Sequence, residues 1–270
     1  MQTIKEIIEN KEKPIDKCKY CGKEFKPYSQ VVFQGTPNEK VLSVYVPACN
    51  CAEIQKQKLE QEKEAEETKN KLAKKFENSL ITPYFKKKTF KNLLKKSEQY
   101  GNSKQLKQLQ EYANSFNSTE EKTPGVFLIG TPGTGKTTMA AAVCNELIER
   151  GFNCLFLTFS ALIERFTKYS FDNGGDIYPL LMWLVKFDLV VIDDIGRENY
   201  TDRRKEIAFR IIDALLNYEV TTIFTANPEM VAKLASIEDW GAILDRLKDI
   251  CATQISFSGK SLRGIEWRLV

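Results

Sequence analysis

The segment Gly130-Thr131-Pro132-Gly133-Thr134-Gly135-Lys136-Thr137 places three glycines, a lysine and a hydroxyl at the spacing that wraps a chain of phosphates. Glycine permits backbone conformations closed to bulkier residues, so successive N–H groups can turn inward toward phosphate oxygens at a helix N-terminus. Lys136 would bring a positive charge to the β- and γ-phosphates of a nucleotide, and the Thr137 hydroxyl a ligand for Mg²⁺. Thr138 extends the candidate nucleotide-binding set into the helix that follows. An ordinary Gly-rich turn is the plain alternative, but turn geometry makes no demand for Lys-Thr at those positions.

A second constellation lies far upstream. Cys18-x-x-Cys21 is followed after 27 residues by Cys49-x-Cys51, two thiol pairs of the kind that close a tetrahedral Cys₄ zinc site. Two disulfides or unrelated free thiols are the rival readings. With no histidine in the chain, metal clusters must rest on cysteine or carboxylate, and His-based triads and general bases are excluded. A Cys₄ set leaves no open position, so its role would be structural.

Further chemistry ends two apolar runs. Leu189-Val190-Val191-Ile192 leads into Asp193-Asp194, where Asp193 would hold Mg²⁺ through water and Asp194 would orient an attacking water. A helix cap is the alternative for this acidic pair. Thr221-Thr222-Ile223-Phe224-Thr225-Ala226 is another such run and ends at Asn227-Pro228, an amide at a strand end or simply a turn.

The elements that must position these groups follow from periodicity. Val126–Ile129, Cys154–Thr158, Leu189–Ile192 and Thr221–Ala226 read as buried strands, and Thr138–Arg150 as the helix after the glycine loop. Around the cysteine pairs, Gln30–Phe33 and Val41–Val46, joined by Gly35-Thr36-Pro37-Asn38, read as a β-hairpin. From Ala52 to Phe76 the chain is almost entirely Lys, Glu, Gln and Ala, a long exposed helix too sparse in apolar residues for a coiled coil. Thr82–Lys91 sets aromatics among lysines, which suits contact with nucleic acid or a protein partner, or aromatics packed on the core beneath a solvated surface. The expected organisation is a Cys₄ region at 1–52, a charged helical linker at 53–80 and an α/β domain at 81–270.

Composition sets the remaining bounds. The 270 residues are 42% apolar, no run approaches a membrane span, and the start lacks the pattern of a signal peptide, so a cytoplasmic location without membrane contact is expected. Residues 1–124 carry 24 Lys, no Arg and 17 acids, whereas 125–270 carry 16 basic residues, all nine arginines among them, and 19 acids. Guanidinium suits bidentate phosphate contacts, which fits a phosphate-handling C-terminal half.

Together Gly130–Thr137, Asp193-Asp194-Ile195-Gly196, the helix Arg203–Tyr218 and Thr225-Ala226-Asn227-Pro228 resemble the AAA+ helicase loaders of the DnaC/DnaI type and the related IstB-like transposition ATPases. The cysteine pairs resemble the zinc-bearing N-terminal domain of DnaI-type loaders. This resemblance implies a P-loop NTPase fold with a central parallel sheet in the AAA+ strand order, ATP bound at subunit boundaries of a self-assembled form, and ATP hydrolysis. It implies that Asn227 contacts the γ-phosphate or the lytic water, that Arg246 acts as an arginine finger from a neighbouring subunit, and that Arg263 approaches the nucleotide. Either arginine has a surface salt bridge as its alternative. The implied partners are a hexameric replicative helicase and single-stranded DNA. An acid one methylene shorter than the commoner Glu at 194 allows either slow hydrolysis or a water-bridged geometry, and the 43 residues after Asn227 leave little room for a helical lid. Rival functions are an IstB-like ATPase assisting a DNA transposase, and a zinc-containing binding module that holds nucleotide but hardly hydrolyses it.

Overall fold

An uninterrupted apolar strand such as Leu189–Ile192 needs cover on both faces, and a parallel sheet between two helical layers gives it. The computed structural model describes residues 17–23, 25–32, 40–47, 49–119, 121–196, 201–236 and 240–258. The chain divides into two units, 1–70 and 71–270.

In the first unit, the Cys18 N–H donates to the Lys23 carbonyl (2.7 Å) and the Gly22 N–H to the Cys18 carbonyl (2.8 Å), closing a tight knuckle. Gly22 takes φ +71°, where a side chain would be strained. Strand β1 (Phe25–Val32) pairs antiparallel with β2 (Lys40–Pro47), Phe25 opposite Pro47 and Val32 opposite Lys40. The first strand therefore starts five residues earlier than Gln30. Its Pro27 hid that from a reading of propensities, but neither strand of a two-stranded ribbon is central, so proline is tolerated. Phe33 and the turn at 35–38 lie outside the described residues. Helix α1 (Cys51–Asn78) follows, and the division between the units falls within it.

In the second unit come three short helices, α2 (Pro83–Lys86), α3 (Phe90–Tyr100) and α4 (Ser103–Asn114). Strand β3 (Gly125–Gly130), helix α5 (Lys136–Glu149), β4 (Cys154–Thr158), α6 (Phe159–Asp172), α7 (Tyr178–Leu184) and β5 (Leu189–Ile195) come next. The order closes with α8 (Asp202–Asn217), β6 (Thr222–Ala226), α9 (Pro228–Ala235), α10 (Trp240–Ile250) and β7 (Cys251–Phe257). The sheet order is β4-β5-β6-β3-β7, every pair parallel. Alternate side chains feed two cores. Leu189, Val191 and Ile223 pack with α3, α4 and α5, whereas Val190, Ile192 and Phe224 pack with α6 to α10.

Strand β7 was not visible in the sequence. Cys251-Ala-Thr-Gln-Ile-Ser-Phe is half polar because it lies at the sheet edge, with only Ile255 and Phe257 buried. The backbones of β7 and β3 approach so closely that a Cβ at Gly130 would run into the Phe257 carbonyl.

The aromatic–lysine segment is bound to the core. Pro83 starts α2 in the first turn, where its missing N–H costs nothing. Phe85 packs on Phe156 (ring centroids 5.5 Å apart) and Phe90 is buried, whereas Tyr84 is 65% exposed beneath Lys88 Nζ, 3.9 Å from its ring centroid. Asn145, buried in α5, donates Nδ2 to the carbonyls of Phe85 (2.9 Å), Lys86 (3.3 Å) and Lys88 (2.7 Å). Asn145→Ala leaves these acceptors without that donor, so the expected loss is about 1–3 kcal/mol. It would be read as a lower urea midpoint at unchanged slope.

Candidate functional site

The loop after β3 enters α5 through Gly133 (φ +82°) and Gly135 (φ +93°), left-handed positions that only glycine occupies without strain. Thr134 is buried, its hydroxyl donating to the Thr131 carbonyl (2.8 Å), while Asn102 Nδ2 holds the Thr134 carbonyl from outside the loop (3.0 Å). Lys136 opens α5 and is only 7% exposed. Its Nζ donates to the carbonyls of Gly130 (2.7 Å) and Thr131 (2.9 Å) and to Asn227 Oδ1 (3.1 Å). Asn227 immediately precedes α9 but does not cap it with its side chain.

Across the sheet edge, Asp193 Oδ1 accepts from Thr137 Oγ1 (2.7 Å) and Thr225 Oγ1 (2.6 Å). The Thr225 hydroxyl in turn accepts from the Asp194 N–H (2.9 Å). Here β5 departs from regular pairing with β6, its register shifting between Ile192 and Ile195, and Asp194 takes φ +61°. A non-glycine residue held there is strained, and the Thr225 bridge is one of the contacts that fix it. Burial raises the Asp193 carboxyl above the usual carboxylate range, against the two hydroxyls that stabilise its charged form.

One cavity of about 250 Å³ collects these groups. Pro132, Gly133, Gly135, Lys136, Thr137, Thr138, Asp193, Asp194 and Asn227 line it, with Tyr84, Phe85 and Thr225. Gly130, Thr131 and Thr134 are not in the lining; the first two offer carbonyls to Lys136 and the third is buried under the loop. The donor set fits a nucleotide and a divalent ion: a helix N-terminus behind a glycine loop, an ammonium, and a hydroxyl beside a carboxylate. Arg246, on α10, does not line this cavity and instead pairs with Asp213 (Nε to Oδ1, 2.9 Å). Arg263 lies outside the described residues.

Sequence reasoning passed over Thr225 as a site residue and gave Tyr84 and Phe85 no place beside the glycine loop. The signal for Thr225 was present: a hydroxyl one strand away from the acidic pair and two residues before Asn227. Nothing in the sequence could bring α2 to the loop, because that contact depends on Asn145 in the buried helix α5.

In the first unit, the sulfurs of Cys18, Cys21, Cys49 and Cys51 all lie within 4.8 Å of one another. An S₄ tetrahedron around zinc has edges of about 3.8 Å from its bond length, so the donors fit a metal ion. Backbone N–H groups of Tyr20 and Cys21 bring the Cys18 thiol down to about 7. Hydrogen bonding with Cys21 and Cys49 holds the Cys51 thiol up at about 12.

Residues 52–267 match the family model described as IstB-like ATP binding protein. The chain is 28% identical over 187 residues to "Replicative helicase loader DnaC" of Escherichia coli (strain K12), covering 68% of this chain and 73% of that one. It is 33% identical over 134 residues to the protein of the same name in Buchnera aphidicola subsp. Schizaphis graminum (strain Sg), covering 49% and 53%. Among solved structures, "Crystal Structure of the DnaI" superposes with TM-score 0.54 at 18% identity, over 68% of this chain and 95% of that one. AMPPCP-bound DnaA from Aquifex aeolicus gives 0.50 at 19%, over 66% and 51%. The fold is that of the AAA+ P-loop proteins, preceded by a ribbon and a charged helix.

Thr225→Val keeps the side-chain shape and removes the hydroxyl that joins Asp193 to the Asp194 N–H. Loss of such a supporting contact is expected to weaken Mg-nucleotide binding roughly tenfold in titration calorimetry, with Thr225→Ser restoring it.

Proposed function

Since the chain belongs to the family of IstB-like ATP binding proteins, we propose that it is an ATPase whose nucleotide state governs the loading of a hexameric replicative helicase onto single-stranded DNA. Lys136 binds the β- and γ-phosphates, backbone N–H groups of the 130–135 loop bind the phosphate chain, and Thr137 with Asp193 holds Mg²⁺. When bound, Mg²⁺ neutralises charge on the phosphate oxygens. Asp194 orients the attacking water and Asn227 fixes the γ-phosphate end of the site. Arg246 comes from the next subunit, and Arg263 approaches the nucleotide of its own chain. Asp194 reaches one methylene less far than Glu, so turnover is slow and rises on contact with partner or DNA.

Three parts divide the work. Residues 1–52 hold zinc on Cys18, Cys21, Cys49 and Cys51 and engage the helicase; 53–80 form a helical linker; 81–270 form the ATPase. Assembly through ATP sites at subunit boundaries makes the nucleotide a switch, because contacts across the boundary differ between ATP and ADP. The setting is the cytoplasm, and among the described residues no helix is long and apolar enough to cross a membrane.

What carries the loader reading is the likeness to chains named replicative helicase loader DnaC, joined to a four-cysteine cluster that precedes the family match. The match to IstB-like ATP binding proteins leaves room for a second reading, the ATPase assisting a DNA transposase that the sequence motifs also resemble. Size-exclusion with light scattering on the chain and its host's replicative helicase, in ATP and in ADP, separates the two. The loader reading expects a stoichiometric complex that responds to nucleotide. Absence of a complex in both states, with ATP-dependent binding to duplex DNA, would transfer the function to the transposase class.

Metal analysis adds an independent check. One zinc per chain is expected, and Cys18→Ser should abolish it and unfold the ribbon, since metal binding provides much of the folding free energy of so small a unit. ATP binding by the second unit should persist.

A further inference from the structure

Arg246 is held on three sides. Its Nε donates to Asp213 Oδ1 (2.9 Å), its Nη1 donates to the Ala242 carbonyl (3.1 Å), and its guanidinium carbon lies 4.3 Å from the centroid of the Phe209 ring. Asp213 is fixed in turn, because Asn217 Nδ2 donates to its other oxygen (2.9 Å). Phe209, Asp213 and Asn217 follow one another at intervals of four along α8, so they share one face of that helix. They offer a ring, a carboxylate and an amide in a row.

Stability alone does not call for this arrangement. The side chains of Arg246 and Asp213 are 29% and 37% exposed, so solvent screens their ion pair and its contribution is modest. Orientation does account for it. A long arginine side chain otherwise samples many rotamers, whereas a planar guanidinium gripped at Nε, at Nη1 and across its face keeps one fork direction. Among the described residues, Nη2 makes no hydrogen bond. The residue does not line the cavity of its own chain, as suits a group that serves a nucleotide on another copy.

We propose that Phe209, Asp213 and Asn217 are positioning residues that hold Arg246 ready to meet the phosphates of ATP bound to a second copy of this chain. The inference rests on the reading that ATP sites lie at subunit boundaries.

The test is steady-state ATP turnover of the assembled full-length chain, with nucleotide affinity of each variant measured separately by a fluorescent ATP analogue. Arg246→Ala should lower kcat by roughly 10³-fold, the scale of a trans-acting arginine. Asp213→Ala should lower kcat at least roughly tenfold, as loss of a supporting residue does, with KM and analogue affinity unchanged. Asp213→Glu should recover part of the loss. Asp213→Ala copies mixed with Lys136→Ala copies should regain turnover, because one contributes the nucleotide site and the other an intact Arg246. A chain carrying both substitutions should not rescue Asp213→Ala.

If Arg246→Ala leaves kcat unchanged, the subunit-boundary reading itself is wrong. If Arg246→Ala is slow while Asp213→Ala is not, that reading stands and the positioning role is overturned. Failure of the mixture to recover, or a fall in analogue affinity on Asp213→Ala alone, overturns it as well.

Discussion

Two buried opposite charges, Lys136 and Asp193, stand at one edge of the sheet, each only 7% exposed. Groups of this kind are costly to bury unless their hydrogen bonds are satisfied locally. Lys136 answers with two loop carbonyls and the Asn227 amide oxygen, Asp193 with two threonine hydroxyls. The glycine loop, the irregularity in β5 and the placement of Thr225 all serve that constraint. Removing either charge would leave its own partners arranged around nothing.

The strand order explains how the two charges come to be neighbours. Strand β6 lies between β5 and β3, so the residues it carries at its end, Thr225 and Asn227, stand between the acid and the lysine. Thr225 faces the β5 side and bonds Asp193, whereas Asn227 reaches the β3 side and bonds Lys136. All strands are parallel, which brings their C-terminal ends to one edge, the place where ligands bind in open α/β sheets. The departure of β5 from regular pairing then turns Asp194 out of the strand direction, so two consecutive acids, which would otherwise face opposite sides, both line one cavity.

The rest of the second unit shields or extends this edge. Helix α5 is buried almost throughout, between the sheet and α2 to α4, so its N-terminus has little freedom to move. Its Asn145 holds α2 near the glycine loop, which brings the aromatic pair Tyr84 and Phe85 into the cavity lining. Arg246 belongs to the other helical layer, packed with α8 rather than with the cavity. The acids, the lysine and the phosphate cradle thus meet at the C-terminal edge of the sheet, whereas Arg246 lies in the helical layer on its far face.

Much of this was legible in the order of residues. The glycine loop declared itself because few backbones other than a phosphate cradle need glycine, lysine and threonine at that spacing. The apolar runs ending in Asp193-Asp194 and Asn227 declared themselves because strands covered on both faces are apolar throughout. The paired cysteines declared themselves by spacing, and the fold brings their sulfurs together. Strand β7 did not, because an edge strand alternates with solvent and looks like a loop, and the start of β1 was masked by Pro27. By itself, then, the sequence determined the chemistry available: a phosphate-binding loop, a pair of acids, a strand-end amide and four thiols. Tertiary structure alone decided their partners, Thr225 between the acids, Asn227 on Lys136 and Asp213 under Arg246. Each of those contacts joins residues at least 31 positions apart in the chain, and only the packing of strands and helices sets such distances.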